Sequence, residues 1–210
     1  MPHRYLQALT TPSVEAAQKQ YGSFTSMQRM MAGWHTDGML GDQEAAFIGE
    51  RDGFYLGTTG ESGWPYIQFR GGPPGFLRVL GVEEGASVLG WADFRGNRQY
   101  VSTGNLKSSD KASLFLMDYA NQARLKILGE ARVTDVRAAE AEPLLEKVCV
   151  SGYRARIERI ITVKVHAYDW NCPQHITQRW TEAELAPYIG DLQAELERLR
   201  KENRELRQQR

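Results

Sequence analysis

The chain has 210 residues, 41% of them apolar, enough to bury one full core with an extension. Lysine plus arginine and aspartate plus glutamate both number 26, so no bulk field draws the protein to nucleic acid or an anionic membrane, and any bound anion must be held locally. Cys149, Cys172 and four scattered histidines give no zinc spacing, and no apolar run approaches membrane-spanning length, so a cytoplasmic protein without a bound metal is expected.

Residues 1–41 read as a helical arm, with Thr11 before Pro12 as a helix start and Gly22 as a stop. Asp42 then caps a helix carrying Ala45, Ala46, Phe47 and Ile48. After Gly53 the period shifts to two. FYLGTT and WPYIQFRGG, joined by GESG, form a hairpin, and FLRVLGV and ASVLGWADF follow as two more strands beyond Pro73 and Pro74.

Residues 97–104 read as a further strand. It leads through a polar turn into a helix over 109–119, whose apolar positions are Leu114, Phe115, Met117 and Tyr119. Ser108 or Ser109 stands as its N-cap, and the free N–H groups of the first turn, with Lys107 and Lys111, make an anion site. An ordinary capped helix with two solvated lysines is the competing reading. RLKILGEARVTDV returns to the β pattern, residues 137–148 are helical with Pro143 weakening the middle, and residues 156–170 alternate as a half-buried strand. The fold class expected is mainly β (α+β): six antiparallel strands in a closed or nearly closed barrel over residues 42–180, with peripheral helices.

The tail, residues 181–210, carries the clearest period. Leu185, Ile189, Leu192, Leu196, Leu199, Asn203 and Leu206 are spaced alternately by four and three, a heptad seam with leucine at every d position and Asn203 at an a position. Such an asparagine suits a parallel two-stranded coiled coil; a single amphipathic helix packed on its own domain is the alternative. Thr181 with Glu184 makes a capping box, and Pro187 and Gly190 are expected to interrupt the first turns.

Chemistry concentrates in three places. Gln68, Phe69 and Arg70 end a strand at Gly71 and Gly72, where a flat ligand meets no Cβ. The second is the polar turn of 102–111. The third is DWNCPQHITQRW, dense in aromatic and basic side chains after the last strand. No serine or cysteine nucleophile stands beside a base in sequence.

In their order along the chain, WPYIQFR, STGNLKSSDKASLF and the WNCPQHITQRW exit resemble the pyridoxamine 5′-phosphate oxidase related family of FMN-binding split barrels, over about residues 42–180. The resemblance implies an FMN-binding, flavin-dependent oxidoreductase acting on a small molecule, with a nicotinamide as possible donor. It implies Gln68, Phe69 and Arg70 along the flavin, with Thr103, Gly104 and Asn105 at a strand end. It further implies Ser109 and Lys111 on the phosphate and Arg124 as a polar contact to the ring. Trp170, Gln174 and Arg179 would reach the FMN of the opposite subunit in a homodimer. The chain departs from the oxidases proper at Asp110, where they carry arginine, and lacks their terminal arginine and histidine signature. These departures point away from the vitamin B6 substrate, and the NCPQHI variant resembles the flavin-nucleotide-binding branch of the same superfamily. Two further readings stand beside the enzyme: a non-catalytic flavin carrier or sensor, and an interaction adaptor that uses the coiled-coil tail.

Overall fold

The computed structural model describes residues 3–33, 38–170 and 172–208; residues 34–37 of the predicted arm and Asn171 of the aromatic run lie outside them. The chain divides into two compact units, one made of Met1–Asp118 and Ala123–Cys172, the other of Tyr119–Gln122 and Pro173–Arg210.

The first unit opens with three short helices, α1 (Arg4–Leu9), α2 (Pro12–Gln20) and α3 (Phe24–Gly33), followed by α4 (Asp42–Gly49). Thr11 accepts from the Val14 N–H and Pro12 occupies the first turn of α2, as the sequence predicts. At α4 the cap is Gly41 rather than Asp42, and the Glu44 carboxylate accepts from the Gly41 N–H at 2.9 Å.

Seven strands follow, one more than expected: β1 (Gly53–Thr59), β2 (Pro65–Gly71), β3 (Arg78–Glu83), β4 (Ala86–Phe94), β5 (Lys111–Asp118), β6 (Ala123–Asp135) and β7 (Ile157–Trp170). The middle of the chain also reverses the expected order of strand and helix, without changing the number of strands. Residues 97–104 are not a strand: helix α5 spans Val101–Ser108. Residues 109–119 are not a helix: β5 occupies Lys111–Asp118. The run KASLFLMD alternates, burying Ala112, Leu114, Leu116 and Asp118, and it pairs with β1 on one side and β6 on the other. β6 pairs the whole strand and β1 pairs Ala112 to Phe115, and these ladders outweigh a local helical preference. In helix α6 (Glu142–Val148), Pro143 stands in the first turn, where a missing N–H costs nothing, and does not weaken the middle.

All pairings are antiparallel, in the order β2-β1-β5-β6-β7-β4-β3. The fold is mainly antiparallel sheet with peripheral helices, and its hydrogen-bonded order is open, with β2 and β3 at the edges. The sheet is nonetheless strongly rolled. Strands lie about 4.8 Å apart, so five steps across a flat sheet would part β2 from β4 by roughly 24 Å. Instead Arg70 on β2 and Asp93 on β4 meet at 2.9 Å. The space enclosed is filled by Phe54, whose ring lies 5.8 Å from that of Phe76 and 5.0 Å from that of Trp91, and by Leu56, Leu114 and Leu116, all at most 1% exposed.

The bend is built into β6 and β7, where the register shifts between Leu128 and Gly129. A Cβ at Gly129 would lie 2.5 Å from Val163 Cγ1 and 2.6 Å from the Lys164 carbonyl oxygen, so the bulge needs glycine there.

The second unit contains α7 (Glu182–Gln208), 27 residues long and unbroken, contrary to the expected interruption at Pro187 and Gly190. Pro187 removes a single donor near the start of the helix, a local loss that the turns on either side absorb. The capping box is formed: Thr181 N donates to Glu184 Oε2 at 2.7 Å and Glu184 N to Thr181 Oγ1 at 3.2 Å. Among the described residues no helix is long and apolar enough to cross a membrane.

Gly129→Ala is expected to lower unfolding free energy by about 1–3 kcal/mol in urea titrations, because backbone blocks the new methyl. Gly104→Ala, whose Cβ would meet nothing within 4 Å inside α5, is expected to raise it by about 0.5–1 kcal/mol.

Candidate functional site

Where the rolled sheet brings β2 back to β4, it leaves a cleft of about 320 Å³. One wall is Tyr66, Gln68, Phe69 and Arg70 of β2, and the floor is Trp91 to Phe94 of β4. The other wall is the loop of residues 95–100 with Val101, Ser102 and Thr103 at the start of α5. Alternation along β2 turns Gln68 and Arg70 to one face, while the Phe69 ring packs edge-on against Tyr55 at 5.5 Å on the other. The Tyr66 hydroxyl donates to Gln68 Oε1 at 2.5 Å and sets the orientation of that amide.

At the base of the cleft sits Asp93, 2% exposed. Its Oδ1 accepts from Arg70 Nη1 at 2.9 Å, and its Oδ2 accepts from Arg159 Nε and Nη2 at 2.8 Å each. Arg159 also reaches Glu158 at 3.2 Å, and its guanidinium lies 4.8 Å from the centre of the Tyr100 ring. Burial disfavours the charge on Arg159, but the hydrogen bond and charge of Asp93 outweigh it and raise its pKa. The lining holds four guanidiniums, Arg70, Arg95, Arg98 and Arg159, against Asp93 and against Glu158, which pairs with Arg95 at 3.7 Å and Arg159 at 3.2 Å, so an excess of positive charge remains.

Two features equip this cleft for a polar anionic ligand. The first is the N-terminus of α5, whose opening N–H groups have no partners within the helix and whose dipole is positive toward the cleft. The second is unmet hydrogen bonding. Among the described residues four buried side-chain polar atoms lack a partner, and three of them, Arg70 Nε, Trp91 Nε1 and Ser102 Oγ, belong to cleft residues. Each such group costs about 1–3 kcal/mol unless a ligand or water meets it. The approach loop is also strained: Arg98 and Tyr100 hold φ of 65° and 53°, left-handed values that non-glycine residues adopt at a cost of roughly 1–3 kcal/mol each.

Of the residues singled out from the sequence, the cleft gathers Gln68, Phe69, Arg70 and Thr103. Gly104 and Asn105 lie further along α5, and Asn105 Nδ2 donates to Thr58 Oγ1 on β1 at 3.0 Å. Ser109 is the C-cap of α5 rather than the N-cap of a following helix, so it stands at the negative end of the dipole. Lys111 starts β5 and lines a separate groove of about 520 Å³ with Thr59, Ile67, Ser113 and His166. Arg124 pairs with Met117 near the start of β6. Trp170 ends β7, its indole N–H donating to the buried Glu44 carboxylate at 2.7 Å and its ring edge-on to Phe47. Gln174 and Arg179 belong to the second unit, where Arg179 lies over the Tyr119 ring at 5.3 Å.

Sequence reasoning missed Trp91, Asp93, Arg95, Arg98, Ser102 and Arg159. The local signal was present in FRGNRQY, a glycine loop with two arginines after a strand. The strand expected over 97–104 covered part of this loop and left its arginines unread. The Asp93 bridge spans 23 residues to Arg70 and 66 to Arg159, and no local pattern announces it.

No family model matches the sequence, and no curated protein matches it. Among solved structures, the chain is similar to HupZ of Group A Streptococcus, at 12% identity over 68% of this chain and 100% of that one, with a TM-score of 0.46. It is similar to an FMN-binding protein of Syntrophomonas wolfei, at 12% identity over 76% and 97%, with a TM-score of 0.46. A third is a Clostridium acetobutylicum protein related to general stress protein 26, of the pyridoxinephosphate oxidase family, at 16% identity over 64% and 88%, with a TM-score of 0.43.

Asp93→Ala is expected to lower stability by about 3–5 kcal/mol in urea unfolding, because it strands two partly buried guanidiniums.

Proposed function

We propose that the cleft binds flavin mononucleotide, with the phosphate at the N-terminal end of α5 and the ring system along β2. On this reading the protein is a flavin-dependent oxidoreductase acting on a small molecule. The observation that carries it is the coincidence, in one positive cleft, of a helix N-terminus with three buried polar atoms that lack partners. Ser102 Oγ and the first N–H groups of α5 suit phosphate oxygens, and Arg98, with no ion pair among the described residues, supplies countercharge. Arg70 Nε and Trp91 Nε1 are donors without acceptors, of the kind that ring carbonyls and ring nitrogens satisfy. Gln68, oriented by Tyr66, adds an amide on the same wall.

Bound flavin would supply the electron or hydride transfer; the chain binds it, orients it and shapes its hydrogen bonds. This moves the phosphate contacts expected of Ser109 and Lys111 to the other end of α5. The homodimer belongs to the same proposal, with Trp170, Gln174 and Arg179 reaching the site of the second copy. Its support is the apolar outer face of the β1–β2 hairpin, where Trp64, Ile67 and Phe69 are 79%, 69% and 55% exposed.

Titration of FMN, followed by quenching of its fluorescence, tests the site. Arg98→Ala and Ser102→Ala are each expected to weaken binding by about tenfold or more, since each removes a hydrogen bond to a charged group. Ser109→Ala and Lys111→Ala are expected to change it less than about twofold. The opposite ranking, or no binding by the unaltered protein, defeats the proposal. Oxidation of NADH or NADPH by the loaded protein no faster than by free FMN would leave a carrier rather than an enzyme.

A further inference from the structure

Helix α7 carries its apolar residues on one face, at a positions Ile189 and Leu196 and d positions Leu185, Leu192, Leu199 and Leu206. All six are exposed, Leu192 to 70% and Leu206 to 58%. Scattered exposed apolar side chains need no explanation, but five leucines and Ile189 on a four–three spacing along one stripe form a seam that an isolated helix leaves in water. Asn203 interrupts it at an a position.

We propose that α7 pairs with the α7 of a second copy of this chain as a parallel, in-register, two-stranded coiled coil. The charges beside the seam select that arrangement. With the a and d positions placed as above, the flanking g positions are Glu195 and Glu202 and the e positions are Arg200 and Arg207. In a parallel pair each g side chain meets the e side chain five residues further along the other helix. Glu195 then meets the partner's Arg200 and Glu202 meets the partner's Arg207, and the two-fold axis repeats both contacts. In an antiparallel pair g faces g and e faces e, setting glutamate against glutamate and arginine against arginine.

The helix prepares one half of this code. Arg198, on the outward c position, holds Glu195 at 2.7 Å and Glu202 at 3.5 Å, fixing both carboxylates on their flank with acceptor capacity to spare. Arg200 and Arg207 hold no ion pair among the described residues. Asn203 fits the same arrangement, because its amide pairs with its own symmetry mate only when the helices are parallel and in register, and a lone a-position asparagine favours two strands over three. The inference stands independently of the flavin reading.

The test uses the full chain with Cys149→Ser and Cys172→Ser, and Leu199→Cys as a reporter at the centre of the seam. Mild oxidation is expected to give a dimer linked through position 199 to position 199. On that background Glu195→Arg with Glu202→Arg, and separately Arg200→Glu with Arg207→Glu, are each expected to cut the link about tenfold by facing like charges. An equimolar mixture of the two variants is expected to restore it as the mixed dimer, identified by mass. The proposal is overturned if the 199–199 link does not form, as in a dimer that joins through the first unit alone. It is also overturned if the two variants link as well separately as together.

Discussion

The carboxylate of Asp93 is the point on which the first unit turns. It is withdrawn from water on β4 and neutralised by Arg159 from the neighbouring strand β7 and by Arg70 from β2, five strands away in the sheet. A buried carboxylate without partners would cost several kcal/mol, so the sheet must present both arginines at once, and only a rolled sheet can. The net stability of such a bridge is small beside the desolvation it incurs. What it determines is geometry: which strand edges approach and how closely.

That closure also explains why the cleft exists and why its chemistry is unfinished. Asp93 uses Nη1 of Arg70 and leaves Nε pointing away from any protein acceptor, while Trp91 gives its ring to the core against Phe54 and leaves its N–H unpaired. Groups committed on one side to folding and unmet on the other are the usual material of a ligand site. The loop of residues 95–100 then delivers the N-terminus of α5 to the same place through left-handed Arg98 and Tyr100, with the strain supported by the Tyr100 contacts to Arg159 and Glu158. Core, bridge and candidate phosphate site are thus successive layers of one closure.

The second unit obeys different physics. Its helix has no buried residue, and its order rests on a capping box and on pairs spaced three and four apart. Such pairs contribute only tenths of a kcal/mol each, so a helix of this length with an open leucine seam is incompletely satisfied by its own contacts. The first unit hides its apolar stripes within one chain; α7 leaves its stripe exposed.

The amino-acid sequence by itself determined what depends on near neighbours. The start of α2 at Thr11 and Pro12, the hairpin of β1 and β2, the alternation of β7, the capping box of Thr181 and Glu184 and the heptad of α7 are each written within a few residues of where they act. The tertiary structure alone decided the stretch from 97 to 119. Leu114, Phe115 and Met117 fit a helical face, Ala112, Leu114 and Leu116 fit a strand, and both patterns occupy the same eight residues. Pairing of Leu114 with Leu56 and Ile127, contacts from far along the chain, chose the strand and left α5 to form before it rather than after. With that choice the positive helix end moved from Ser109 to Val101, beside the candidate cleft whose arginines and Asp93 are joined across 23 and 66 positions. Local preference is worth tenths of a kcal/mol per residue, whereas a strand paired on both edges and buried on one face gains several, so here the long-range contacts prevailed.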